Sequence, residues 1–151
     1  MTQRQGFTIV EILVVVALVV LLALIGAINV LRTRMTGHEA VTLANLRQLA
    51  VSLHMYHSVN NTYPDPLGLL SDASPAYSPA ALTGGSGQNG NQSLNGYAYD
   101  YLREGDFDYQ LIARPTTQGV TGVRRFFVDE TGVLRYTSDG TDPTASSPVL
   151  P

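Results

Sequence analysis

The sequence predicts an α+β fold: one long N-terminal helix, apolar in its first half and amphipathic in its second, packed on an antiparallel sheet of about four strands. Three patterns predict it. No residue from Ile12 to Leu31 is charged. Leu46, Leu49, Leu53 and Tyr56 recur at three- and four-residue steps, flanked by Leu43 and Ala50. Short alternating runs rich in Tyr, Phe and Val crowd between Tyr97 and Tyr136.

The uncharged run decides the first element. Its twenty residues span about 30 Å as a helix, the thickness of a bilayer core. Val and Ile are frequent there, which alone suggests a strand. Length rules that out, and in lipid only a helix satisfies its own backbone. A secretory signal has a shorter apolar core and a small-residue cut site after it. This run instead leads into Arg32, Arg34 and a further helical pattern. A plain single-pass anchor fits the length but leaves Glu11 unexplained. An ionised acid within the bilayer costs roughly 3 kcal/mol, which makes an acid there a functional hypothesis by default.

The second half of the helix is read from its stripe. Arg47, Gln48, Ser52 and His54 fall off the apolar positions, so one face is expected to cover a sheet. Thr36-Gly37 is a weak point, and Asn60-Asn61 followed by Tyr63-Pro64 supplies the stop. A helix from Thr8 to Ser58 would be about 77 Å long. Residues 65–96 read as loop, with Pro66, Pro75, Pro79 and the stretch TGGSGQNGNQSLNG. Gly85 to Gly90 formally matches G-x-G-x-x-G, but no buried strand precedes it and no helix pattern follows, so it reads as a flexible surface loop.

Strand signals come last. Tyr97 to Tyr101 and Phe107 to Leu111 alternate across a Glu104-Gly105-Asp106 turn. Val123 to Val128 and Val133 to Tyr136 form a second hairpin across Asp129 to Gly132. Tyr99, Tyr101, Phe107, Tyr109 and Leu111 are expected to contribute the face that meets the helix. Residues 138–151 read as an irregular tail.

Composition excludes several function classes. The chain of 151 residues has a net charge of −3, nine Arg, no Lys and twelve acids. Beyond Arg34 there are six Arg against eleven acids, which argues against a nucleic-acid platform, since those display a basic stripe. Arg124-Arg125 reads as solvated strand surface. There is no Cys, hence no disulfide framework and no thiolate metal site. His54 and His57 lie three apart on the predicted helix with no third metal ligand nearby. Asp139 and Asp142 sit in a Gly-containing loop where calcium is one reading and Asx-type turns the other. Asn60-Asn61-Thr62 and Asn91-Gln92-Ser93 match the N-glycosylation pattern, which is short and weak. No nucleophile-elbow motif is present, and the chain is not expected to be an enzyme. No cofactor is expected.

The N-terminal residues resemble the class III signal of type IV pilins and type II secretion pseudopilins. The match lies in a short polar leader with Arg4, Gly6 just before Phe7, and Phe7-Thr8-Ile9-Val10-Glu11 opening the apolar helix. It extends over residues 1 to about 64, where Tyr63-Pro64 matches the end of the family's long helix. The resemblance implies the division of the chain: a leader peptide 1–6, a transmembrane and assembly helix 7–31, an amphipathic helix half 32–60, and a loop region and sheet head with an irregular tail over 61–151. It implies that a prepilin peptidase cuts between Gly6 and Phe7, that Phe7 becomes N-methylated, and that Glu11 neutralises the new amine of a neighbouring subunit.

The partners it implies are further copies in a helical filament, the peptidase, an inner-membrane assembly platform, and membrane lipid before assembly. No nucleic acid is expected. The arginines flanking the apolar run, Arg4 before and Arg32 and Arg34 after, set no orientation by charge. The resemblance places the head outside the cytoplasm, as a single-pass inner-membrane protein first and an extracellular pilus or periplasmic pseudopilus afterwards. Two departures stand out: Leu24 to Asn29 contains no Pro, and the family's C-terminal disulfide loop is impossible without Cys. The stretch Leu46 to Pro64 is similar to the helix end of major pseudopilins and of major pilins alike. A monomeric membrane-anchored binding domain and an anchored envelope enzyme are the alternatives from other classes.

Overall fold

A computed structural model describes residues 7–91 and 93–150. The chain divides into two compact units, Met1–Arg34 and Met35–Pro151. Helix α1 (Ile9–Asn60) contributes to both and passes Gly26 and Thr36-Gly37 without a break. Two single-turn helices follow, α2 (Leu69–Asp72) and α3 (Ala80–Thr83). Strands β1 (Tyr97–Arg103), β2 (Tyr109–Pro115), β3 (Arg125–Asp129) and β4 (Arg135–Thr137) form one sheet in the order 1-2-3-4. Each pairs antiparallel with the next.

Among its described residues the first unit is helix from Ile9 onward, with no buried side chain. From Ile9 to Ile25 every side chain is exposed, although the most apolar window of α1 has a mean hydropathy of 3.2. Among the described residues it is the one helix long and apolar enough to cross a membrane. Each large aliphatic side chain left in water forgoes roughly 1.5–3 kcal/mol of burial.

The second unit holds the core. Leu46, Leu49 and Leu53 on α1 are fully buried, as the stripe predicts. Opposite them lie alternate residues of three strands: Tyr97, Tyr99 and Tyr101; Tyr109, Leu111 and Ala113; Phe126 and Val128. The register sets large against small, with Tyr99 opposite Ala113 and Ala113 opposite Phe126, so bulky rings interleave. At three of these positions tyrosine serves where phenylalanine would also fill the space, because the ring spans the layer and its hydroxyl finds a partner beyond. Tyr97 donates to the Arg124 carbonyl at 2.8 Å and Tyr101 to the Pro64 carbonyl at 2.8 Å, while Tyr99 accepts from Asn45 Nδ2 at 3.0 Å. Burial pushes all three phenols above their ordinary range.

Several details depart from the sequence expectation. Ser52 is buried rather than solvated, because residues 67–83 wrap a second side of α1: its hydroxyl donates to the Tyr77 carbonyl at 2.8 Å, and Leu67, Leu70 and Leu82 pack there. Phe107 is 66% exposed. Strand β2 starts only at Tyr109, which leaves Phe107 in the turn that an Arg103–Asp106 ion pair closes. The Gly85–Gly90 loop is pinned along the sheet. Asn91 and Asn89 carbonyls accept from Tyr99 and Tyr101 amides at 2.8 and 2.9 Å, and the Asn89 side chain accepts from the Leu67 amide at 3.0 Å. Gly90 is required there, since at φ +126° a Cβ would run into the Tyr99 carbonyl.

The opposite edge is closed too. The Tyr136 amide donates to Pro148 at 3.1 Å, and the Leu150 amide donates to Leu134 at 2.9 Å. The tail read as irregular thus supplies a rung beside β4. Unpaired edges template aggregation; here the chain covers both.

Glu39 pins α1 to the entry of β3. One carboxylate oxygen accepts from the amides of Val123 and Arg124 at 3.0 and 3.2 Å, and the other from Arg124 Nε at 2.8 Å. Burial works to raise its pKa, but these donors outweigh it and hold the carboxyl below its usual value. A depressed pKa contributes stability above the ordinary carboxylate range, lost as pH falls through the folded-state value. We expect Glu39→Ala to cost about 2 kcal/mol, the worth of charge-assisted hydrogen bonds left half-made. Thermal melts of the detergent-solubilised chain check this: the gap between the two proteins should narrow as pH falls below the carboxylate range.

Candidate functional site

The start of α1 is built from Phe7, Thr8 and Glu11; Gly6 lies outside the described residues. Thr8 stands at the N-cap and Glu11 three residues on. The Glu11 amide donates to Thr8 Oγ1 at 3.3 Å, and Glu11 Oε2 in return accepts from the Thr8 amide and hydroxyl at 3.4 Å. This reciprocal pair is a capping box, satisfying two of the amides a helix start leaves without partners. An acid in the first turn also suits the positive end of the helix dipole. Phe7 and Ile12 occupy the flanking staple positions, and Phe7 is 78% exposed. The pattern T-x-x-E ahead of an apolar run was legible in the sequence and carries this geometry without any partner chain. Glu11 therefore has a local task within the chain itself.

The other residues singled out in the sequence lie in the second unit. His54 and His57 both meet Tyr63: His54 Nδ1 lies 3.3 Å from its hydroxyl, and the His57 ring stacks on it at 4.6 Å. Phe107 adds an edge contact to His57 at 5.8 Å between ring centres. The two rings thus close the aromatic end of the core around Tyr63 and Tyr109. Among the described residues, no three His, Asp or Glu side chains gather as a metal-sized group.

Arg124 and Arg125 are not simply solvated. Their side chains point to opposite faces, Arg124 to Glu39 and Arg125 to Asp142. Asp139 closes its own turn, accepting from the Thr141 amide at 3.0 Å and its hydroxyl at 2.7 Å. Asp142 bridges two guanidiniums: Arg114 donates through Nε and Nη2 at 2.7 and 2.8 Å, and Arg125 through Nη1 at 2.8 Å. Arg114 also pairs with Asp100. These bonds, Arg114 foremost, hold the Asp142 carboxyl below its usual range. The clamp ties the C-terminal tail to β2 and β3 across the outer face of the sheet. Cross-chain pairs of this kind have no short-range sequence signature, so only the fold reveals them.

The clamp is partly exposed, and we expect Asp142→Asn to cost about 1 kcal/mol or less. Its effect should be local, with faster hydrogen exchange at the Leu150 and Tyr136 amides and unchanged protection in β1. In the unaltered protein the contribution is present above the ordinary carboxylate range and fades as pH falls through the depressed value.

Residues 1–27 match the family model described as the prokaryotic N-terminal methylation motif. The chain is also 30% identical over 83 residues to the type IV wide pilus major component PilA4 of Thermus thermophilus, a match covering 55% of this chain and 63% of that protein. It therefore spans less than two thirds of that relative's length. No solved structure matches the chain. These likenesses point to a structural pilin rather than an enzyme. With the methylation motif at the head of a long apolar helix, a pilin relative and an antiparallel four-stranded head, the chain is similar to type IV pilins.

Proposed function

We propose that the chain is a structural subunit of a type IV pilus-like filament, cut by a prepilin peptidase between Gly6 and Phe7 and N-methylated on Phe7. The observation that carries this reading is an uncovered apolar helix headed by a single acid. In the inner membrane, lipid covers the helix as a single-pass span with the head outside the cytoplasm. In the filament, the helices of other copies replace lipid. Such head-to-tail contacts do not close and therefore generate fibres. Between the pilus and the secretion pseudopilus, the pilus is favoured by the name of the Thermus thermophilus relative.

Glu11 sets the register in this reading. Cutting before Phe7 creates a cation at the head of each subunit. In an apolar surround an unpaired carboxylate is costly and a paired one is tolerated. A subunit docked so that its Phe7 amine meets a neighbour's Glu11 is selected over every other axial position. The capping box involves only Thr8 and Glu11, so it survives the cut. We also propose that the ion pairs of Asp142, and not a calcium ion, hold the tail in place.

Intact-mass measurement of protein from sheared surface fibres should show loss of residues 1–6 and gain of one methyl group. A full-length, unmethylated N-terminus would contradict the reading. Glu11→Gln separates the two tasks of this residue, because glutamine serves in a capping box but carries no charge. We expect Glu11→Gln and Glu11→Ala both to insert and both to yield few filaments. Filament yield from Glu11→Gln equal to that of the unaltered chain would confine Glu11 to capping. Chelating calcium should leave the melting temperature unchanged, whereas Asp142→Asn lowers it.

A further inference from the structure

We propose that Arg47 of one copy enters a pocket beside Tyr56, Tyr77 and Asp72 on the next copy; this rests on the filament reading above. The pocket lies in the second unit, between the last turns of α1 and the short helix α2, and encloses about 300 Å³. Tyr56, Asn60, Leu69, Asp72, Ala73 and Tyr77 line it. The two tyrosine rings stand 5.5 Å apart between centres and at 71° to each other, which makes an aromatic corner. That corner is held in place: Ser52 donates to the Tyr77 carbonyl and the Tyr77 amide to the Leu70 carbonyl, both at 2.8 Å.

The amide and carboxylate side chains of this pocket offer acceptors. Asp72 takes the Ser86 hydroxyl at 2.7 and 2.8 Å, and among the described residues no cation pairs with it. An ionised carboxylate accepts several donors, so capacity remains. Asn60 spends its side-chain nitrogen on the Tyr56 carbonyl at 2.9 Å, which leaves its oxygen. Aromatic faces beside an unpaired carboxylate suit a guanidinium, which is flat, carries five N–H donors and stacks on rings. They do not suit an anion.

The chain itself supplies the matching cation. It has no Lys, and of the six arginines beyond Arg34 four pair with acids: Arg103, Arg114, Arg124 and Arg125. Arg135 donates to the Ser147 carbonyl at 2.8 Å. Arg47 is left, exposed and without a partner among the described residues. Val51 and Met55 follow it at four-residue steps, 59% and 55% exposed, so the guanidinium heads an uncovered apolar stripe. Such a stripe shields the pair from water, and shielding raises an ion pair above the small worth of an exposed one. Arg47 does not fill the pocket of its own chain. It precedes Tyr56 by nine residues, which on a helix is about 14 Å of rise and the opposite side. Two different patches facing opposite ways make a contact that repeats instead of closing.

Because the chain has no Cys, introduced cysteines report this contact without background. Full chains carrying Arg47→Cys, Asp72→Cys or both would be assembled in cells, sheared off as filaments and treated with a short bis-maleimide. The double variant should give a ladder of dimers, trimers and higher multimers on a denaturing gel, and either single variant should give none. Charge reversal is the independent measure. Arg47→Asp and Asp72→Arg should each lower filament yield about fivefold, and the two together should restore it. Filaments of the double cysteine variant without the ladder overturn the inference and leave the filament reading intact. So does a cross-link from position 72 to any other protein, or full yield from an Arg47→Asp chain whose melting temperature is unchanged. An unaltered chain that never appears in sheared fibres overturns the filament reading and the inference with it.

Discussion

The protein depends on a helix that its own chain does not cover. The side chains from Ile9 to Ile25 all face outward, and in water their exposure would outweigh the marginal stability of an ordinary domain. A sequence that keeps such a segment requires an apolar partner outside the chain. Lipid and the same helix of another copy are both chemically suitable. The proposed life history is a transfer between them, in which the apolar surface never meets water.

That exposure is localised by how thoroughly the head closes itself. Four tyrosines fill the space between sheet and helix, and three place their hydroxyls on named partners. Each sheet edge is covered by a loop from the same chain, Asn89 to Asn91 beside β1 and Pro148 to Leu150 beside β4. The outer face is held by the Asp142 clamp. Strand addition is thereby blocked at both edges, so further copies have no template on the sheet. On the proposed reading, association is directed to the helix by subtraction, since a head with open edges would offer a competing route to aggregates.

The parts legible in the sequence are those governed by periodicity. The uncharged run, the Leu46–Leu49–Leu53 stripe and the alternation of Tyr97, Tyr99 and Tyr101 each follow from the pitch of a helix or the pleat of a strand. The parts not legible are contacts between residues far apart in the chain. Ser52 reads as solvent-facing because residues 67–83 cover it from a direction no helical stripe encodes. Phe107 reads as core because alternation starts there, yet the turn consumes the residue before pairing begins. Arg124, Arg125 and Asp142 read as surface charge, and their pairing depends on strand order. The capping box at Thr8 differs from these: it is local and was readable, but the membrane cost of Glu11 drew the reading away from it.

On the proposed reading one carboxylate serves two states, and the geometry at Thr8 suits this. In the single subunit Glu11 accepts from neutral groups at 3.4 Å, near the outer limit of a useful hydrogen bond. Such contacts keep the acid from being wholly unpartnered while holding it weakly. An ammonium group offers shorter, charge-assisted bonds of roughly twice the strength, and its advantage grows as water is excluded. On the proposed reading, a neighbour's Phe7 amine therefore outcompetes Thr8 only once the helices are packed and dry. A tighter cap would resist that exchange. An acid with no cap would carry its full desolvation cost while still alone in the bilayer. The long Thr8–Glu11 contacts lie between these extremes, which suits a residue that must be tolerated first and paired later.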